Sequence, residues 1–111
     1  MTIRKIVEAL ALRVLCAERN LDQEIQGGYA ADMLSCVMAG AQAGNIWVTL
    51  LTHLNVIAVA VLKEIPAVII TENAPIEPAV LQKAEEEGIV VLQTVENTYT
   101  TVGALYTLGI Q

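Results

Sequence analysis

Short, almost continuous runs of apolar residues alternate with segments in which apolar residues recur every three or four positions. The short runs predict strands that are buried on both faces, and the periodic segments predict helices with an apolar face. The predicted strands cover residues 46–51, 67–71 and 89–92, and the predicted helices cover 56–64, 78–87 and the segment after Asn97. This alternation predicts one α/β domain over residues 1–111, with a mostly parallel or mixed central sheet of about five strands and helices on both faces.

The N-terminal third of the chain predicts the remaining elements. Thr2 fits the N-cap of a first helix, and residues 12–16 have the composition of a short strand. Gly27-Gly28 predicts a turn, where glycine allows a positive φ or a close approach of the backbone. Asp32 fits the N-cap of a short helix over residues 33–38.

Residues 33–62 contain no Asp, Glu, Lys or Arg. The predicted helix 56–64 is apolar on nearly every side. The core of a chain of this size is too small to bury all of that apolar surface. An apolar surface of this kind favours a partner subunit, and we expect a homodimer. Polar residues and glycines interrupt the stretch before it reaches the roughly 20 apolar residues of a spanning helix, so we expect no membrane segment.

Composition and charge narrow the function classes. The chain is 55% hydrophobic and 16% charged, which indicates a folded domain rather than a disordered one. Its net charge is −6 and its six basic residues are scattered, which argues against binding to nucleic acid. Cys16 and Cys36 are predicted to be small buried side chains in a reducing compartment, and no signal-peptide pattern follows the N-terminus, so we expect a cytoplasmic protein.

Polar side chains gather where the strand 46–51 ends and the next helix begins. Ligands of open α/β sheets bind at the carboxyl ends of strands, and the N–H groups of a helix start suit an anionic or carbonyl group. The predicted ligand site combines Gly27, Gly28, Asp32, Ser35, Thr52, His53 and Asn55. The alternative is structural: the polar residues cap the helix, with Thr52 or Asn55 as N-cap, and the glycines form a turn.

Catalytic and metal chemistry have little support in the sequence. Gly40 and Gly44 have the spacing that begins a phosphate-binding loop, but no Lys-Ser/Thr follows them. One histidine and two distant cysteines do not predict a metal site, and we expect no cofactor. The least favoured hypothesis is an enzyme that uses His53 with Cys36 or Asp32, because no third group to orient such a pair is identifiable.

Residues 22–29 resemble the signature segment of the DRTGG domain family, with Asp22, Gly27 and Gly28 retained. Gln23 stands where the family name has Arg, and Gln26 stands where it has Thr. Residues 32–35 and the Thr-His-x-Asn segment within 47–55 resemble the family more closely. The resemblance covers almost the whole chain.

The resemblance implies a small α/β domain similar to the N-terminal domain of HPr kinase/phosphatase, and more distantly to the UDP-binding N-terminal domain of muramoyl-peptide ligases. This sequence has no counterpart of the catalytic P-loop domain of HPr kinase, so we expect no kinase activity. In the family the domain also occurs within phosphotransacetylases and between the CBS repeats of some pyrophosphatases, where it supports dimer contact.

We therefore expect a non-catalytic regulatory or ligand-sensing domain that binds a small anionic ligand or nucleotide and forms a homodimer. The alternative function is a pure dimerisation or assembly module with no small-molecule ligand.

Overall fold

The computed structural model describes the whole chain, residues 1–111. Five strands are present: β1 (Arg13–Cys16), β2 (Gly27–Ala30), β3 (Asn45–Thr49), β4 (Ala67–Ile70) and β5 (Val90–Gln93). Five α-helices accompany them: α1 (Ile3–Leu10), α2 (Leu34–Gly40), α3 (Leu54–Leu62), α4 (Pro78–Glu87) and α5 (Thr98–Leu108). A single 3₁₀ turn, Glu18–Asn20, follows β1.

The strands form one mixed sheet in the order β1-β5-β4-β3-β2. Strands β2 to β5 are parallel to one another, and β1 is antiparallel to β5 at one edge. Thr49 pairs with Ile70, and Ile70 pairs with Gln93. The last residues of β3, β4 and β5 therefore lie side by side, and the predicted mixed α/β sheet is confirmed.

The helices cover both faces of this sheet. Helices α2, α3 and α4 join neighbouring parallel strands in one direction across the sheet, and right-handed crossovers place all three on the same face. There α3 contacts both α2 and α4. Helix α5 contacts β3 and α1, so these two helices lie on the opposite face. The loop after β4 consequently leads to one face, and the loop after β5 leads to the other.

Strand β3 lies near the centre of the core. Trp47, in the middle of this strand, is completely buried, and its indole N–H donates to the carbonyl of Ala31 at 2.9 Å. A buried N–H without an acceptor costs free energy, so this bond fixes the loop that follows β2 against β3. The rest of the core is built mainly from Ile, Val, Leu and Ala, since the chain has no Phe.

Several predicted helix ends are confirmed. Helix α4 has the predicted bounds, and Gly88 ends it with a φ of 74°. Asn97 caps α5 by accepting a hydrogen bond from the N–H of Thr100, and Gly109 ends that helix with a φ of 109°. Glycine adopts these positive angles without a Cβ clash, which is why both helices stop there.

The predicted turn at Gly27-Gly28 was wrong. Both glycines lie in β2, paired with Asn45 and Ile46, and neither has a positive φ. The other predicted reason for a glycine, a close approach of the backbone to a neighbour, does hold at Gly27. A Cβ added there would lie 3.1 Å from the side-chain Nδ2 of Asn45. The tight space at Gly27 is therefore set by the neighbouring strand rather than by a turn.

Asp32 was wrongly predicted to cap α2. The N-cap is Met33, which makes no side-chain capping bond, and the Asp32 carboxylate instead bonds to the end of β3. Helix α3 begins at Leu54 with His53 at its N-cap, so neither Thr52 nor Asn55 holds the predicted cap position. For Asp32, a partner on another strand, which the local sequence pattern does not show, decides the geometry.

The two cysteines differ in their surroundings. Cys16 is buried as predicted, and this burial raises the pKa of its thiol. Cys36 is exposed, contrary to prediction, because α2 buries only Val37. None of the helices has the length and apolar character that crossing a membrane requires.

Candidate ligand-binding site

A cleft of about 880 Å³ opens at the carboxyl edge of the sheet, between the N-termini of α3 and α4. Its walls are two segments, residues 52–55 after β3 and residues 75–80 after β4. The two strands end at the same level, which is why the segments that follow them face each other. The volume lies in the range of small-molecule sites, roughly 300–1,000 Å³.

The first wall presents unpaired backbone donors. The N–H groups of Thr52, His53, Leu54 and Asn55 have no hydrogen-bond acceptor within the chain. The run ends at Val56, whose N–H donates to the carbonyl of His53 at 3.0 Å. The first N–H groups of any helix lack a partner, and their aligned dipoles favour negative charge. Four consecutive donors at the rim of a cleft can therefore bind an anionic group.

Side chains on this wall do not satisfy those donors. His53 is the N-cap residue of α3, but its side chain makes no capping bond. His53 and Asn55 are exposed, and Thr52 is partly exposed. All three line the cleft, so they are free to contact a bound molecule.

Asp32 fixes the loop that leads into the first wall. Its Oδ1 accepts a hydrogen bond from the Thr49 hydroxyl at 2.8 Å and another from the Leu50 N–H at 2.9 Å. The Thr49 hydroxyl oxygen in turn accepts the N–H of Leu51 at 3.1 Å. These bonds join the loop after β2 to the loop after β3, and so position the donors that begin at Thr52.

The second wall was missed by the sequence analysis. It comprises Pro75, Ile76, Glu77, Pro78, Ala79 and Val80. Glu77 is the N-cap of α4 and makes no side-chain capping bond, while Pro78 occupies the first turn and has no N–H. The signal that could have found this wall is strand adjacency, because parallel strands joined by one helix are usually neighbours in the sheet.

Helix α5 does not offer a comparable set of donors. The Asn97 side chain accepts from Thr100, and the Glu72 carboxylate accepts from the N–H of Thr98 at 2.8 Å. The hydroxyls of Thr71 and Thr98 share a hydrogen bond of 2.7 Å. The protein's own polar groups therefore accept the N–H groups of Thr98, Thr100 and Thr101 at the start of α5. The N–H groups of residues 52–55 at the start of α3 have no such acceptors.

The structure brings together only part of the predicted site. Thr52, His53 and Asn55 line the cleft, and Asp32 adjoins their loop through Leu50. Ser35, on α2, does not line it. Gly27 and Gly28 lie at the amino end of β2, at the edge of the sheet opposite the cleft, because Gly27 pairs with the first residue of β3.

The cleft contains few charges. Glu77 is the one acidic side chain of the lining, which includes no Lys or Arg. The clear pKa shifts of carboxylates lie elsewhere: the Arg4 guanidinium lowers the pKa of Asp22, and the N-terminal ammonium lowers the pKa of Glu24. No three His, Cys, Asp or Glu side chains converge in a way that could hold a metal ion. Attraction for an anion therefore rests on the unpaired backbone N–H groups of residues 52–55.

The fold is a small α/β domain with a cleft of ligand size at the carboxyl ends of its parallel strands β3 and β4. The DRTGG domain model matches residues 5–108, so the chain belongs to the DRTGG domain family. This confirms the resemblance seen in the sequence. A comparison with curated proteins finds no match.

Among solved structures, the chain is similar to the crystal structure of the CBS and DRTGG domains of the regulatory region of Clostridium perfringens pyrophosphatase, complexed with its activator diadenosine tetraphosphate. The TM-score is 0.72 at 14% sequence identity, and the match covers 94% of this chain. It spans 45% of the length of that structure. At this identity the likeness establishes a shared fold.

Proposed function

We propose that this chain is a non-catalytic regulatory domain that senses a small anionic ligand or a nucleotide in the cleft between α3 and α4. The observation that carries the proposal is the run of four unpaired N–H groups, from Thr52 to Asn55, at the rim of an 880 Å³ cleft. Such a helix start binds phosphate or carboxylate oxygens without a lysine or arginine.

The composition of the walls supports a ligand with both an anionic and an apolar part. Pro75, Ile76 and Pro78 give the second wall an apolar surface opposite the donors of α3. A planar base or similar ring can pack on such a surface while its phosphate contacts the N–H groups. The similar pyrophosphatase region is regulatory and is complexed with a nucleotide, which supports the same class of ligand for this chain.

The absence of a converging acid, base and nucleophile in the cleft supports a sensing role over catalysis. His53 and Glu77 are the only titratable side chains of its lining. We expect no turnover of nucleotides by this chain. ATP hydrolysis that purified protein sustains and that His53→Ala abolishes would contradict this expectation.

The test of the site uses two substitutions at Leu54. Proline is tolerated at the first position of a helix, and His53 already has the extended backbone, φ −97° and ψ 168°, that a residue before proline requires. Leu54→Pro therefore removes one of the four donors with little disturbance of the fold. Leu54→Ala removes the side chain and keeps the donor.

The experiment first identifies a ligand by thermal shift with ATP, ADP, diadenosine tetraphosphate and UDP-sugars. Calorimetry then compares the variants. We expect Leu54→Pro to weaken binding by roughly tenfold, as for one lost hydrogen bond to a charged group, and Leu54→Ala to bind within about threefold of the wild type. Equal affinity in both variants excludes these donors from the site.

Assembly is the second function supported by a specific observation. Five large apolar residues on the α2–α3 layer are exposed: Met33, Met38, Leu54, Val61 and Leu62. No charged residue occurs between Met33 and Leu62 to keep this surface in water. Charge depletion at the centre of an apolar patch is typical of subunit interfaces, and the proposed homodimer uses this face. Because Leu54 belongs to both the face and the cleft, a ligand at α3 adjoins the proposed interface.

A further inference from the structure

A second pocket, of about 280 Å³, also lies at the carboxyl ends of the parallel strands, but beside β5 and β1 rather than beside β3. It is bounded by the end of α1, the start of β1 and the loops after β4 and β5. Between β4 and β5 the connecting loops diverge to opposite faces of the sheet. Ligands of open α/β sheets bind at such switch points, outside the carboxyl ends of the strands. The first cleft, by contrast, lies between two helices of one face.

The pocket contains the one arginine of the chain that has no ion pair. Arg4 pairs with Asp22 and Arg19 pairs with Glu85, whereas Arg13 pairs with no acidic group. Arg13 lies directly opposite Gln93 in the antiparallel β1–β5 ladder, so both side chains project from the same face. A guanidinium without a partner, at the mouth of a pocket, is suited to a carboxylate because of its planar pair of N–H donors.

Negative groups occupy another part of the same lining. Glu96 lines the pocket, and its carboxylate accepts no hydrogen bond within the chain. Leu10 and Ala11 at the C-terminus of α1 also line it. The last carbonyls of a helix carry a partial negative charge that favours a cation such as an ammonium group. The pocket therefore brings a cationic side chain, an acidic side chain and a helix C-terminus together in one small volume.

Hydrogen bonds join the two loops that line the pocket after β4 and β5. The N–H of Glu72 donates to the carbonyl of Glu96 at 2.9 Å, and the N–H of Asn73 donates to the carbonyl of Thr94 at 3.0 Å. The side-chain amide of Gln93 donates to the carbonyl of Ala74 at 3.0 Å. The loops after β4 and β5 are thus joined before any ligand arrives, which lowers the entropy cost of binding.

We infer that this switch-point pocket binds a small zwitterion of the α-amino-acid type, with its carboxylate on Arg13 and its ammonium group towards Glu96 and the end of α1. Its volume is about a third of that of the first cleft, which suits a single small metabolite rather than a nucleotide. The inference is independent of the ligand proposed for the first cleft, because the two linings share no residue.

The test is calorimetry of the wild-type chain with the common α-amino acids at millimolar concentration. Succinate, which carries only negative charge, and ethanolamine, which carries only positive charge, serve as comparison probes. We expect at least one amino acid to bind, and neither of these two probes to bind as tightly. Arg13→Gln should weaken that amino acid by about tenfold or more, whereas Lys63→Gln, which removes a distant cation, should leave its affinity unchanged. Glu96→Gln should reduce the preference for the amino acid over succinate.

Failure of every amino acid to bind, or equal affinity in the wild type and in Arg13→Gln, overturns the inference. Succinate binding more tightly than every amino acid overturns the zwitterion in favour of a simple anion site. Far-ultraviolet circular dichroism of Arg13→Gln distinguishes a lost ligand contact from a lost fold, and retained affinity in the first cleft provides a second check that this variant is folded.

Discussion

The carboxylate of Asp32, just after β2, accepts a hydrogen bond of 2.8 Å from the hydroxyl of Thr49, the last residue of β3. Thr49 is completely buried, while Asp32 is exposed. The pair joins two loops at the carboxyl edge of the sheet and holds the segment that opens into the cleft. Asp32 was expected to cap a helix, and the structure assigns it this cross-strand role instead.

Asp32→Ala should therefore destabilise the fold. The substitution removes the acceptor for Thr49 and for the N–H of Leu50, and a lost hydrogen bond to a charged group costs about 1.5–3 kcal/mol. Urea denaturation should show this loss of unfolding free energy. Ser35→Ala, an exposed substitution on the following helix, should change it by no more than about 0.5 kcal/mol. Equal effects of the two variants would contradict the positioning role of Asp32.

His53→Ala separates a ligand role from a capping role. Because the His53 side chain makes no capping bond, the variant should lose less than about 0.5 kcal/mol of unfolding free energy. Asn97→Ala provides the comparison, since Asn97 does cap α5 and its loss should cost about 1 kcal/mol. Thermal and urea denaturation measure both. A loss at His53 as large as that at Asn97 would restore the structural explanation for this histidine.

The proposed dimer face is tested by Leu62→Glu. Leu62 is 69% exposed on α3, and Val95, which lies outside the α2–α3 layer, is 72% exposed. A buried, unpaired carboxylate is costly at an interface, so Leu62→Glu should shift the mass measured by light scattering from dimer to monomer. Val95→Glu should leave the dimer intact. A wild-type chain that is monomeric at micromolar concentration would contradict the dimer.

Acid should weaken the contact between α1 and the segment before β2. Arg4 lowers the pKa of Asp22 in the folded chain, so the stabilisation is present above the pKa of Asp22 in the unfolded chain and is lost as the pH falls through its folded pKa. The urea midpoints of the wild type and Arg4→Gln should converge on acidification. Both side chains are exposed, so the difference at neutral pH should be small. A difference between the two urea midpoints that grows as the pH falls would contradict this prediction.

The sequence predicted the fold well because the buried strands and the helix ends depend on local patterns. Near-continuous apolar runs located β3, β4 and β5, and the positive φ values of Gly88 and Gly109 explain why the glycines marked two helix ends. The family resemblance was also recoverable, since the matched region covers residues 5–108.

The site was predicted only in part because it depends on which strands are neighbours. Thr52, His53 and Asn55 were found from their place after a buried strand, and all three line the cleft. The second wall, residues 75–80, comes from the next strand, and its position becomes visible only once β3 and β4 are paired. Gly27 and Gly28 were grouped with the site because they were taken for a turn, whereas the parallel register places them at the other end of the sheet.

The central claim is that the N–H groups from Thr52 to Asn55 receive an anionic ligand. The most direct measurement is a ¹H–¹⁵N correlation spectrum of the chain titrated with ATP, ADP, diadenosine tetraphosphate and inorganic phosphate in turn. We expect at least one of them to shift the amide signals of these four residues and of Ala79 on the facing wall in a saturable manner. Saturable shifts confined to other parts of the chain, or no saturable shift with any of the four, would contradict it.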